Sequence, residues 1–464
     1  MEEAGFENGL GTDPRNRKAA WWCWPLIVFA LLPFDRIIPF FLPAEQREKI
    51  EQPIEIAPGN ADWSLFKFQS EILVGSDSLG KLAPYSGAKQ TDSQIGQQLE
   101  PLIENASGER QWAALLLLDN FLEVEYPEGN APIDEWMQEL EDEPLRALVK
   151  RSLEGGIGED ERDELRPYVG WFAELAPSTG GAEPPNIDRI RSKSVVVLLV
   201  LSGFVIAGLC LLVVGACLLV YHISTTTNGK RENTFQPSGL RNGYLFEAFS
   251  LYLGLVTLGA LAGAFVGSPV TIIGYVAAVL VPLFWPRMRG ISWGEFCQAI
   301  GWHRGKGWMR EIGAGVVGYM GVLSVASIGI MLTAALSFLG QYFAENEVGP
   351  EPHPIIGWID EGGFLAKIAC LFLAAGFAPF FEETFFRGTF HRYLRERMRF
   401  IWAALLAGVI FAALHPQGLF AIPALASMGV GFALIREWRD SLVAPMVAHA
   451  INNGLLVGLI WIVL

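Results

Sequence analysis

The sequence is poor in charged residues, which make up only 18% of its 464 residues, while 51% are hydrophobic. An ordinary soluble chain carries about 25% charged residues, so this deficit argues against a soluble globular protein. The apolar residues gather in runs near or above the ~20 residues that a helix needs to cross a bilayer. The sequence therefore predicts an all-α fold, a polytopic membrane helical bundle with a small extramembrane helical domain inserted after the first span.

Cysteine and basic residues are also scarce. All five cysteines lie in or beside apolar runs and none lies in the long hydrophilic block, which argues against a disulfide framework or a cysteine-based zinc site. Lys and Arg number 34 against 49 Asp and Glu, which gives a net charge of -15. Such a surface repels phosphate, so we expect no nucleic-acid partner.

The first apolar stretch, Ala19 to Leu42, follows three basic residues and is typical of either a signal peptide or a membrane anchor. It lacks a clean cleavage site of small residues, and Pro25, Pro33 and Pro39 favour a kinked helix. We therefore interpret residues 1–43 as a cytoplasmic N-terminus with an uncleaved first anchor.

Residues 44–193 are hydrophilic and acidic, and we predict that they form the extramembrane domain. Apolar periodicity indicates helices at about Ile95 to Leu122 and Ile133 to Leu153. The segment Ala176 to Asn186 is rich in Pro, Gly and Ser, which is typical of a linker.

Eight further apolar runs follow, which with the anchor make about nine spans, give or take one. We assign residues 194–239 to the second span and a cytoplasmic loop, and residues 240–464 to one intramembrane domain. The predicted spans are Ser194 to His222, Tyr244 to Val266, Val270 to Trp285, Ile312 to Leu339, Phe364 to Phe390, Ile401 to His415, Gly418 to Ile435 and Leu442 to Leu464.

Basic residues indicate the orientation, because cytoplasmic loops are enriched in Lys and Arg. Two loops, at about 287–310 and 387–399, each hold five of these residues, whereas the loop 341–363 between them holds none. We therefore expect an N-terminus in the cytoplasm and residues 44–193 on the outer side of the cell (inner) membrane.

Two acids and a base lie within one apolar span, where each ionisable residue raises the free energy of membrane insertion by about 2.5 to 3.5 kcal/mol. Glu383 and Arg387 are four residues apart and so form an expected pair on one helix face, while Glu382 points about 100° away. Glu382 is left without a local partner. A carboxylate in such a place is suited to general-base chemistry, although salt bridges between helices explain the acids equally well.

The next spans add three polar residues. His415 follows four residues after Phe411, and His449 and Asn453 are four residues apart on one face of the last helix. At 1.5 Å per residue, Glu382, His415, His449 and Asn453 all reach middle depth if their helices pack side by side. Packing alone does not explain four polar groups at one level.

These three patterns, EExxxR, FxxxH and HxxxN, resemble the motifs of the CAAX protease and bacteriocin-processing (CPBP) family of intramembrane proteases. The resemblance extends over roughly residues 240–464 and includes the stretch from Trp293 to Gly315. It implies an endopeptidase that acts on a membrane-associated or prenylated peptide or membrane-protein substrate within the lipid bilayer.

The resemblance also implies roles for the polar residues. Glu382 and His415 would activate a water molecule, His449 and Asn453 would stabilise the oxyanion, and Glu383 with Arg387 would support the site. Two histidines and a glutamate are also a plausible Zn²⁺ set, with Glu382, His415 and His449 as the candidate ligands. We favour a reaction that requires no cofactor.

Two other classes of function remain open. The family is also linked to bacteriocin immunity and scaffolding, so the chain can be read as a peptide-binding protein without turnover. A transporter that uses Glu382 as a proton relay is a further alternative, but the sequence shows no matching inverted halves. The sequence does not identify the substrate, the oligomeric state or the role of the 44–193 domain.

Overall fold

The computed structural model describes most of the chain, which folds as two compact units. One unit comprises residues 1–48 and 209–460, and the other comprises residues 49–208 and 461–464. The described residues are 13–32, 60–82, 99, 101–103, 106, 108–124, 133–228, 235–266, 268–343, 355–356, 359 and 363–463.

The expected class is confirmed. The described residues form helices, with isolated bridges and no strand. Seven of these helices are long and apolar enough to cross a membrane, and the apolar helix Phe400–Ala413 is shorter. The chain is an integral membrane protein with an all-α, polytopic bundle.

The hydrophilic part of the chain forms an apolar helical core of its own, which includes Leu115, Leu116, Trp136 and Leu140. Arg162 is buried in this unit, where its guanidinium donates hydrogen bonds to the carbonyls of Ala173 and Ala176. The helices that precede the membrane spans are α1 (Cys23–Ala30), α2 (Asn60–Leu82), α3 (Glu109–Leu122), α4 (Ile133–Gln138), α5 (Glu143–Gly155) and α6 (Glu159–Val169).

Two predicted helices of this domain have other bounds. The stretch predicted as one helix from Ile133 to Leu153 is broken between α4 and α5, because the Asp142 side chain accepts from the Leu145 amide and starts a new helix. The stretch predicted as one helix from Ile95 to Leu122 is helical at residues 99 and 101–103, and the separate helix α3 begins at Glu109, after Gly108 with a φ of 94°. Residues 95–98 and 100 lie outside the described residues.

The membrane helices agree with the predicted spans to within seven residues at each end, except at the first anchor. Of that anchor the structure describes only the eight-residue helix α1 and a few flanking residues, and Pro33 and Pro39 lie outside the described residues. The remaining helices are α7 (Ile187–Thr227), α8 (Gly243–Val266), α9 (Ser268–Met288), α10 (Trp293–Ile300), α11 (Trp308–Phe343), α12 (five consecutive segments from Phe364 to Arg395), α13 (Phe400–Ala413), α14 (Ile422–Arg439) and α15 (Val443–Val463).

Glycines let the neighbouring helices α8 and α9 approach closely. A Cβ atom on Gly259 would lie 2.8 Å from the Cα of Gly274, and one on Gly263 would lie 1.7 Å from the Thr271 hydroxyl. The GxxxG step from Gly259 to Gly263 therefore serves packing within the bundle, as expected of small residues in lipid. This contact fixes α8 beside the site described next.

Helix α12 carries the two adjacent glutamates and is not a uniform α-helix. It widens to a π-helix over Leu373–Phe377 and again over Glu383–His391, with the α-helical segment Ala378–Glu382 between them. Such π-helical turns occur frequently at functional sites. Glu382 and Glu383 lie at the junction of the second one.

Candidate active site

Glu383 is completely buried and forms the ion pair that its spacing predicts. Its Oε1 atom lies 2.9 Å from Nη1 of Arg387, whose side chain is also buried. Both groups lie inside the bundle, where an unpaired charge is costly. The pair is therefore a fixed element of the structure.

The second partner of Glu383 comes from the last helix. Nδ1 of His449 lies 2.9 Å from the same Oε1 atom of Glu383, and Nε2 of His449 lies 3.8 Å from Oε2 of Glu382. A histidine that donates from Nδ1 to a carboxylate has a fixed ring orientation and leaves Nε2 for chemistry. His449 thus joins the two adjacent carboxylates, although 66 residues separate it from Glu383.

A close crossing of α13 and α14 gives Arg387 its remaining contacts. A Cβ on Gly429 would lie 2.8 Å from the Cα of Gly408, so the two backbones nearly touch there. This lets Nη2 of Arg387 donate to the Gly429 carbonyl at 3.1 Å. The guanidinium also lies 4.8 Å from the ring centre of Phe411 and 5.2 Å from that of Phe432, which is cation–π range.

His415 lies just beyond the end of α13. Its Nδ1 atom is 2.7 Å from the Phe411 carbonyl oxygen, and its ring centre is 4.4 Å from that of Phe411. Because a carbonyl only accepts, Nδ1 carries the proton, and in the neutral ring Nε2 is an acceptor. Phe411 also packs edge-on against His449, at 6.1 Å between centres.

Glu382 and His415 line one cavity of about 510 Å³. The Glu382 side chain keeps 24% of its surface exposed, whereas that of Glu383 keeps none. Within this cavity Glu382 is the sole carboxylate among the lining residues. Of the two acids, Glu382 is therefore the one that a substrate or a water molecule can reach.

Asn453 and His449 share a face of α15, as predicted, but neither lines this cavity. Nδ2 of Asn453 donates to the Ala374 carbonyl at 2.9 Å, and its Oδ1 accepts from Asn452 at 3.1 Å. Ala374 lies in the first π-helical segment of α12. Asn453 thus ties the last helix to the helix that carries the glutamates.

Sequence reasoning missed three residues that contribute to the site. Phe432 stacks on His449 at 4.7 Å between ring centres, Nε1 of Trp302 donates to the Thr384 hydroxyl at 2.9 Å, and Tyr252 lines the cavity. Each is an aromatic residue in or beside an apolar run, and nothing in the local pattern distinguishes it from ordinary packing. Only Trp302, in the stretch Trp293 to Gly315, lay in a region already singled out.

No group of three or more His, Cys, Asp or Glu side chains with a geometry that can hold a metal ion occurs in the part of the chain that the structure describes. Of the three ligands considered from the sequence, His449 lies 3.8 Å from Glu382 but is bound through Nδ1 to Glu383, and His415 is bound through Nδ1 to the Phe411 carbonyl. The reaction steps below therefore use no metal.

The comparison with family models gives a match within the membrane domain. Residues 364–455 match the family model described as type II CAAX prenyl endopeptidase Rce1-like. This segment contains all three polar motifs, whereas residues 240–363, which also belonged to the predicted resemblance, lie outside the match. No curated protein and no solved structure matches the chain.

Proposed function

We propose that this chain hydrolyses a peptide bond with a water molecule that Glu382 and His415 activate. Its residues 364–455 belong to the CAAX protease family and form a CAAX-type endopeptidase domain. The observation that supports the proposal is the place of Glu382 and His415 on the wall of one cavity. A carboxylate and an imidazole on one wall are the groups needed to hold and deprotonate water.

In the proposed reaction, Glu382 takes a proton from a water molecule while Nε2 of His415 accepts that molecule's other hydrogen. The water oxygen bonds to the peptide carbon, and the π electrons move to the carbonyl oxygen. When the carbonyl re-forms, the bond between carbon and nitrogen breaks, and the proton on Glu382 passes to the departing amine. Glu382 thus serves first as base and then as acid.

In the proposal, the hydrogen-bonded residues His449, Glu383 and Arg387 support this chemistry from behind Glu382, which lies 3.8 Å from His449. The Glu383 carboxylate compensates the charge of the Arg387 guanidinium. This matters because both groups are buried among Phe411, Phe432 and other apolar residues. In the proposal these residues fix the position of Glu382 and do not touch the substrate.

The cavity wall indicates an apolar, membrane-associated substrate. Apart from a few polar groups, it is lined by side chains of α8, α9, α12 and α13 such as Leu253, Val256, Val279, Phe377 and Phe381. We propose that a peptide or membrane protein, including one with a prenyl group, binds there from the bilayer.

The first test compares protein termini in cells that carry the wild type, Glu382→Gln or His415→Ala. Glu164→Gln is the matched control, because Glu164 is an exposed acid in the other unit of the chain. We expect new termini with the wild type and the control only. Equal termini from all four well-expressed proteins would contradict the protease proposal and favour the peptide-binding or immunity function.

The second test concerns the metal. Because the proposed steps use only side chains and water, turnover by purified protein should survive prolonged dialysis against a strong chelator. Loss of activity that added Zn²⁺ restores would show a metallopeptidase instead, with Glu382, His415 and His449 as the first residues to test as ligands.

A further inference from the structure

The residues that the resemblance implies as oxyanion donors, His449 and Asn453, do not line the cavity. Nδ1 of His449 and the Asn453 amide form hydrogen bonds between helices, and Nε2 of His449 lies 3.8 Å from the Glu382 carboxylate. A tetrahedral intermediate needs fixed donors aimed at its oxygen. The cavity wall is the place to look for one.

Four side chains on the wall can donate a hydrogen bond. They are Tyr252, Thr257, Tyr275 and His415. In the neutral form His415 uses its Nδ1 proton on the Phe411 carbonyl, which leaves Nε2 without a proton to donate. The hydroxyl groups of α8 and α9 therefore remain.

Tyr252 is the best placed of these hydroxyl groups. Its ring stacks on that of Phe385 at 4.2 Å with 12° between the planes, and it meets Phe386 edge-on at 6.5 Å. Both phenylalanines follow Glu383 on α12, so the phenol is fixed to the helix that carries the glutamates. Tyr252 and Glu382 line the same cavity.

The other two hydroxyl groups are less suitable. Thr257 lies five residues farther along α8, which is about 7.5 Å along the helix axis. Tyr275 lies on α9 and remains 47% exposed. In the part of the chain that the structure describes, the Tyr252 hydroxyl forms no identified hydrogen bond, so it remains available to a ligand.

We propose that Tyr252 is a catalytic residue whose hydroxyl donates a hydrogen bond to the oxyanion of the tetrahedral intermediate. The phenol O–H stays intact throughout, so the proton inventory of the reaction is unchanged. The proposal rests on the proposed function and adds a donor from α8, which lies outside the segment 364–455.

The test uses Tyr252→Phe, which keeps the ring stack on Phe385 and removes only the hydroxyl. Its matched control is Tyr319→Phe, because Tyr319 is partly buried on α11 and does not line the cavity. The probe is a fluorescence-quenched peptide that ends in S-farnesyl-cysteine and three further residues. A second ligand is the same peptide with a phosphinate, a tetrahedral mimic, in place of the scissile amide.

We expect Tyr252→Phe to lower kcat about 10²- to 10³-fold with KM nearly unchanged, as for other lost oxyanion donors. The affinity of Tyr252→Phe for the phosphinate should fall by a similar factor. The affinity for the uncleaved amide peptide is measured in the inactive Glu382→Gln background, and it should be the same with and without the additional Tyr252→Phe substitution. Tyr319→Phe should behave as wild type. If Tyr252 had only a packing role, removing its hydroxyl would affect the affinities for the phosphinate and for the amide peptide equally.

The outcomes separate this proposal from the proposed function. If Glu382→Gln is inactive while Tyr252→Phe keeps full kcat and full phosphinate affinity, the Tyr252 proposal is wrong and the protease remains. If Tyr275→Phe alone shows the loss, the donor is on α9 and the proposal is equally wrong. If Glu382→Gln cleaves as fast as wild type, the proposed function itself fails.

Discussion

Glu383 and His449 are joined at 2.9 Å through the same carboxylate oxygen that binds Arg387. One oxygen atom therefore holds a residue of its own helix and a residue of the last helix. This arrangement gives the two adjacent glutamates different surroundings. Glu382 faces the cavity, and Glu383 holds the structure that places it there.

Glu383→Gln should reduce both stability and activity. The substitution leaves the buried guanidinium of Arg387 without its counter-charge, which we expect to cost about 3 kcal/mol in the free energy of unfolding. Thermal unfolding in detergent measures the first effect and peptide cleavage the second. The double variant Glu383→Gln/Arg387→Met should regain part of the stability but not the activity. Unchanged unfolding of Glu383→Gln would contradict the structural role.

Asn453→Ala should lower the stability of the bundle, because the Ala374 carbonyl loses its side-chain donor. We expect a cost of about 1–3 kcal/mol. An oxyanion donor, as the sequence suggested for Asn453, would instead lower kcat strongly and leave unfolding unchanged. The matched control is Asn452→Ala, which removes the neighbouring amide and leaves the bond to Ala374 in place. Measuring unfolding and kcat on both variants distinguishes the two roles.

Trp302→Phe should weaken the packing against α12 of the segment that follows α10. It removes the hydrogen bond to Thr384 and keeps the ring contact with Phe380, whose centre lies 5.3 Å away. We expect a loss of about 1 kcal/mol in the free energy of unfolding. A double-mutant cycle with Thr384→Val measures this coupling. Strictly additive effects of the two substitutions would show that the hydrogen bond contributes nothing.

Glu247→Gln should loosen the N-terminal segment. The buried Glu247 accepts from the Ala20 amide at 2.9 Å and from Nε1 of Trp285 at 2.8 Å, and it lies 2.9 Å from Nε of Arg289. The amide keeps only part of these contacts, so limited proteolysis should cut near residues 13–20 sooner than in wild type. Glu164→Gln, which changes an exposed acid, should leave the cleavage rate unchanged. Equal rates for all three proteins would contradict a role for Glu247 in holding this segment.

The orientation predicted from the basic loops can be tested with single cysteines. Glu164 and Arg304 are both exposed, the first in the acidic block and the second in a basic loop. A membrane-impermeant maleimide should label Glu164→Cys in intact cells and Arg304→Cys only after permeabilisation, each compared with the parent protein. The opposite pattern would invert the proposed topology.

Much of the fold followed from local pattern. Apolar runs predicted most membrane helices within a few residues, because the length of a span is set by the thickness of the bilayer. The domain outside the spans was harder. The break between α4 and α5 depends on one capping side chain, Asp142, and apolar periodicity alone does not register it.

The sequence by itself determined the chemical groups of the site and one of their contacts. The pairing of Glu383 with Arg387 is a property of a single helix, so spacing was enough to predict it. The tertiary structure decided which glutamate faces the cavity, where His449 and Asn453 bind, and that Tyr252 lies on the cavity wall. Those facts depend on helices far apart in the chain that meet through close glycine contacts, and no local periodicity encodes the side on which two helices meet.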